Sequence, residues 1–118
     1  MIKVYLKNYR GYKDLVRHIN TKIAIATKLG AESDADKEAR DHFARLVTDI
    51  DTALGRLPDP DEQRLLRLRY VEGWSWTKVC LAIHYSRSQA KRIHARALEH
   101  LEEITRRDGL LWEEEVAP

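Results

Sequence analysis

Between Ser86 and Arg96 the chain carries Arg87, Lys91, Arg92 and Arg96 and no acid, with Ser88 and Gln89 among them. Arg presents a planar fork of donors, Gln an amide that donates and accepts, and Lys a compact positive charge. These groups suit the edges of bases and the oxygens of phosphates. Arg pairs bidentately with guanine, Gln with adenine, and either cation neutralises phosphate. Ala90, Ile93, Ala97, Leu98 and Leu101 recur at three- and four-residue steps. That spacing buries one face of a helix and turns the basic face outward. The candidate base-reading residues are Arg87, Ser88, Gln89, Lys91 and Arg92. Lys78, Arg96 and His94 are the candidate phosphate contacts.

A basic helical face alone is as readily a solvated surface as a binding one, so the preceding elements decide. Ser75 caps a short amphipathic segment, Trp76 to about Ile83, and His84-Tyr85-Ser86 makes a polar turn. A short helix, a tight turn and a basic helix form the pattern of a helix-turn-helix DNA reader. Upstream, Leu57-Pro58-Asp59-Pro60 ends one helix and starts another. Asp59 serves as N-cap, Pro60 takes the first helical position, and Glu62 stands at capping-box spacing. This helix runs to about Glu72 and stops at Gly73. The basic helix begins near Arg87 and reaches Thr105 or Arg107. Residues 108–118, with Leu110, Leu111 and Trp112 before three glutamates, read as a tail whose apolar triplet is free to dock.

Residues 1–57 read as two long helices. Tyr5, Tyr9, Tyr12, Val16, Ile19, Ile23 and Ala26 follow alternating four- and three-residue steps, as do Phe43, Val47, Ile50, Leu54 and Leu57. These are heptad seams. Gly30 stops the first helix and Ser33 caps the second, with Asp34, Asp36 and Glu38 at its positive end. The short link favours an antiparallel hairpin. Residues 1–30 hold seven Lys/Arg and one acid, a net +6, and residues 31–63 hold four Lys/Arg and ten acids, a net −6. The hairpin would lay these blocks side by side. Its main reading is a structural or oligomerising arm. A second DNA contact through Lys3, Lys7, Arg10 or Lys13 is the alternative.

With 118 residues, one cysteine and a net charge of +2, the chain suits one core without a disulfide. No apolar run approaches the ~20 residues of a membrane span. A soluble, cytoplasmic protein is expected. The five histidines show no metal-ligand spacing, and neither a phosphate loop nor a nucleophile elbow occurs, so no metal, cofactor or enzymatic activity is expected. Cys80 reads as a small core residue, and Trp74 and Trp76 as core packing. Capping explains Asp59, Asp61 and Glu62 better than paired catalytic carboxylates do.

Leu66 to Tyr70, Ser75 to Ile83 and Ser86 to Leu101 resemble the −35-reading C-terminal domain of bacterial sigma factors. The match is densest at Arg87, Ile93, Ala95, Arg96, Ala97, Leu98 and Leu101. Tyr70-Val71-Glu72-Gly73-Trp74-Ser75-Trp76 and Tyr85-Ser86-Arg87-Ser88-Gln89 resemble elements of small sigma-like regulators of phages and prophages of Gram-positive bacteria, including the ArpU-type late-transcription regulators. The resemblance covers residues 59–105, and the hairpin only by architecture. It implies sequence-specific binding to duplex promoter DNA and transcription control, with late phage genes as the target. Thr77-Lys78 replaces acids usual in the family, and Arg92 stands where sigma factors often carry Gln. Nothing resembles the promoter-melting domain, so a complete sigma factor is not expected.

The resulting expectation is an all-α chain: a helical hairpin over 1–57, a three-helix DNA-binding domain over 58–107 and a tail over 108–118. Its partners would be double-stranded DNA, RNA polymerase and a second copy of itself through the hairpin. Two rivals are a small terminase-like DNA-packaging subunit and a polymerase-binding interaction module.

Overall fold

The computed structural model describes residues 2–111, which form helices joined by turns and contain no strand. Helix α1 spans Ile2–Lys28 and α2 spans Asp34–Gly55. Helix α3 spans Pro60–Leu66 and runs directly into a π-wound turn, Arg67–Val71. Helices α4, Trp76–Ile83, and α5, Arg87–Asp108, complete the order.

The starts follow local chemistry. Ser33 accepts from the Asp36 N–H, Asp59 from the Asp61 N–H, and Ser75 from the Lys78 N–H. Each cap satisfies a donor that a helix start leaves orphaned. Glu62 does not complete a capping box. It is 1 % exposed and turned inward, because its carboxylate finds His100 at 2.8 Å across the fold. Asp61 is also engaged, accepting from the Tyr85 hydroxyl at 2.8 Å. The acids of α3 therefore fasten it to α5 and to the turn before α5.

Helices α1 and α2 lie side by side with opposite chain directions. Tyr9 donates to Asp51 at 2.6 Å, Tyr12 stacks on Phe43, and Arg40 donates to Asn20. The seam residues all face inward, yet burial changes along the pair. Leu46, Ile50, Ala53, Leu54 and Leu57 are buried, whereas Val16, Ile19, Ile23 and Phe43 are half-buried. Two helices cover only one face of each other, and a third layer must close the rest.

That layer is α3 to α5. Ile2, Leu6 and Tyr9 of α1 join Ile50, Leu54, Leu65, Leu66, Val79, Ile93, Ala97 and Leu101 in one hydrophobic cluster. The expected boundary at 57/58 separates helices but not cores. The first turns of α1 belong to the same core as α5, and the Ile2 N–H donates to Glu102. The far half of the α1–α2 pair projects away, giving a longest dimension of 55 Å. Leu110 and Leu111 also pack against the cluster, with the Leu111 N–H donating to Asp49, so the start of the expected tail is docked. Trp112 and the glutamates after it lie outside the described residues.

Candidate nucleic-acid interface

Helix α5 begins with a reciprocal cap. Ser86 Oγ accepts from the Gln89 N–H at 3.2 Å, and Gln89 Oε1 accepts from the Ser86 N–H at 3.1 Å. Before it, His84 closes α4 in the left-handed region (φ 63°) and donates its N–H to the Cys80 carbonyl. This conformation lets α5 leave α4 within three residues. Tyr85, held by Asp61, pins the turn to α3.

Ala90, Ile93, Ala97 and Leu101 face the core, which leaves Arg87, Ser88, Lys91 and Arg92 exposed on the opposite side. Among the described residues, Arg87, Lys91 and Arg92 form no ion pair, although seven other Lys or Arg side chains do. Three free cations in the first turns of one helix, with no acid among them, make a surface that attracts anions.

Three expected site residues are placed differently. Gln89 is exposed, and its oxygen accepts from the Ser86 N–H, so the cap orients its amide and occupies one of the oxygen's two lone pairs. The other candidate base-reading residues, Arg87, Ser88, Lys91 and Arg92, are exposed and make no side-chain bond of that cap. Arg96 turns toward α3, 3.8 Å from Glu62 Oε2, and thus shares a carboxylate with His100 instead of facing outward unpaired. His94 is half-buried beneath the surface, edge-on to Trp76 and stacked on Tyr70, whose hydroxyl lies 2.8 Å from Nε2. Burial, with Lys3 and Arg69 nearby, lowers its pKa to about 4. It is neutral at pH 7 and braces α5 against Tyr70 and Trp76.

Lys78 remains exposed at the start of α4, with its ammonium 4.1 Å from the Trp74 ring. Both Trp74 and Trp76 are half-buried and pack on the core, as does Cys80. Trp76 also meets the Arg69 guanidinium at 5.3 Å. Arg69 donates to the Trp74 carbonyl at 2.8 Å, which holds it beside α4. No sequence pattern marked Arg69 as part of this surface. Arg69 lies within the π turn, whose wider winding departs from α-helical side-chain phase.

No group of His, Cys, Asp or Glu among the described residues is arranged to hold a metal ion. No helix among them is long and apolar enough to cross a membrane. The chain matches no family model, no curated protein and no solved structure.

Proposed function

We propose that this chain is a sequence-specific double-stranded DNA-binding regulator of transcription. Helices α3, α4 and α5 act as a helix-turn-helix unit, with α5 as the helix that enters the major groove. The observation that carries the reading is the first two turns of α5. Arg87, Lys91 and Arg92 are exposed there, free of acids and fixed by a capping box on a helix whose other face is core. The major groove admits one helix and displays a distinct donor and acceptor pattern for each base pair. Arg87, Ser88, Lys91 and Arg92 read bases, and Lys78 contacts the backbone. The resemblance to small sigma-like phage regulators supports promoter DNA as the target and RNA polymerase as a second partner.

The projecting part of α1 and α2 is the arm. Leu15 and Ile25 are 40 % and 57 % exposed along α1 and Leu29 is 76 % exposed just past its end, a surface suited to a second copy of the chain. Sedimentation of wild type against Ile25→Lys/Leu29→Lys tests self-association: a dimer lost in the variant supports it, and a wild-type monomer ends it. Binding to a pool of duplex DNA across a salt series tests the DNA reading. Affinity that falls steeply with salt and favours particular sequences is expected. Binding to no duplex at low salt would refute it.

A further inference from the structure

Helix α1 carries seven of the chain's cations, yet only Lys22 forms an ion pair with α2 among the described residues. The positive and negative blocks therefore do not neutralise each other along the helix pair. Lys3, Lys7 and Arg10 follow steps of four and three, which places them on one stripe of α1. That stripe lines a cleft of about 410 Å³ together with Arg69, Trp76 and His94. No Asp or Glu lines it, and none of the four cations has an ion-pair partner among the described residues.

The cleft is built, not incidental. Gly73 takes a left-handed conformation (φ +75°), and the Arg10 guanidinium lies where a Cβ at this position would stand. Arg69 is fixed by the Trp74 carbonyl and the Trp76 face, and its buried Nε has no hydrogen-bond partner. Like charges gathered without acids repel, and an anion relieves that repulsion.

The cleft also continues the α5 surface. Arg87, Lys91 and His94 follow the four- and three-residue steps of one helical stripe, so Lys91 stands about one turn from the cleft wall. Trp76 at the start of α4 forms the same wall, with Lys78 two residues on. A basic track thus runs from the outer face of α5, past the start of α4, onto α1. By the helical rise, Lys3 to Arg10 adds about 10 Å to it.

We propose that Lys3, Lys7, Arg10 and Arg69 form a phosphodiester-binding cleft that grips the DNA backbone beside the segment read by α5. This rests on the DNA-binding reading above. The first turns of α1 become part of the DNA interface, and only the far end of the helix remains an arm. Phosphate contacts position a reader without specifying sequence. The cleft should therefore govern affinity and footprint while leaving base preference alone.

The test uses the full chain and a duplex carrying its selected motif. Lys3→Ala/Lys7→Ala/Arg10→Ala is compared with Arg17→Ala/Lys22→Ala/Lys28→Ala, which removes equal charge from the far part of α1. Each lost phosphate contact flattens the slope of log affinity against log salt by about 0.9. The cleft variant should lose up to about 2.7 from the slope, and the far variant little. Lys3→Ala/Lys7→Ala, confined to exposed side chains, should lose up to about 1.8 with an unchanged circular dichroism spectrum. Hydroxyl-radical protection in wild type should extend past the motif on one side, and the extension should vanish in the cleft variant. Equal slopes for the cleft and far variants, with wild type still bound to its motif, would overturn the cleft and leave the DNA reading intact. So would an unchanged slope with loss of binding to an acidic protein partner. A wild type that binds no duplex would overturn both.

Discussion

Ser86 and Gln89 cap each other, each side-chain oxygen accepting the other residue's backbone N–H. The pair sets where α5 starts and therefore which residues its first turn presents. Gln89, a base reader by its type, also holds the helix start by its geometry. Ser86→Ala should cost about 1 kcal/mol in urea unfolding. Ser88→Ala, next to the cap but outside it, should stay within about 0.5 kcal/mol. Equal effects would mean that the box does not hold the helix start.

His94 should impose an acid limit on stability. Its pKa is lowered from 6.5 to about 4 in the folded chain. Between these values the unfolded chain binds more protons, so stability falls as pH drops through the window. His94→Phe keeps an aromatic ring between Tyr70 and Trp76 but does not titrate. It should cost about 1 kcal/mol at neutral pH by leaving the Tyr70 hydroxyl unpaired. In melting curves it should flatten the decline between pH 6.5 and 4. An unchanged decline would place its origin elsewhere.

His100 acts in the opposite sense. Its hydrogen bond to the buried Glu62 carboxylate, and that carboxylate's charge, raise its pKa above the usual imidazole value. The stabilisation is complete below the unfolded value of 6.5 and is lost as pH rises through the raised folded value. Glu62→Gln should bring the His100 titration, followed by NMR, back toward the ordinary range. A raised value that survives the substitution would contradict the assignment to Glu62.

Gly73→Ala should destabilise the chain by about 1–2 kcal/mol, since a side chain in the left-handed region is strained. It should also displace the Arg10 guanidinium that lies against this position. Gly11→Ala, on the open surface of α1, should instead stabilise by about 0.5–1 kcal/mol. Similar losses at both sites would show that Gly73 has no special conformational role.

Much of this arrangement was legible in the residue pattern because it depends on local chemistry. Ser33, Asp59 and Ser75 marked three helix starts, and the seams of α1 and α2 showed which faces meet. The common core was less plain. Ile2, Leu6 and Tyr9 form a second stripe on α1, rotated from that of Tyr5, Tyr9 and Tyr12 but overlapping it. Tyr9 belongs to both, and a search for one seam overlooks the other.

The remaining departures are long-range. Glu62 has capping spacing, but its partner His100 lies 38 residues away. The same carboxylate also lies 3.8 Å from the exposed Arg96, and Tyr70 holds His94 half-buried. A helical stripe identifies a basic face but not the acids or aromatic rings that the fold brings to it. Arg69 is the reverse case, an arginine within an apolar run that lies in a π turn no residue pattern announced.

The most direct measurement is selection of bound duplexes from a random DNA pool, run in parallel with wild type and Arg92→Ala. Wild type should enrich one motif. Arg92→Ala should bind that motif about 1–3 kcal/mol more weakly and lose preference at one base position, as expected when a base-edge contact is removed. Enrichment of no sequence by wild type, or an identical motif and affinity from both proteins, would contradict the assignment of α5 as the reading helix.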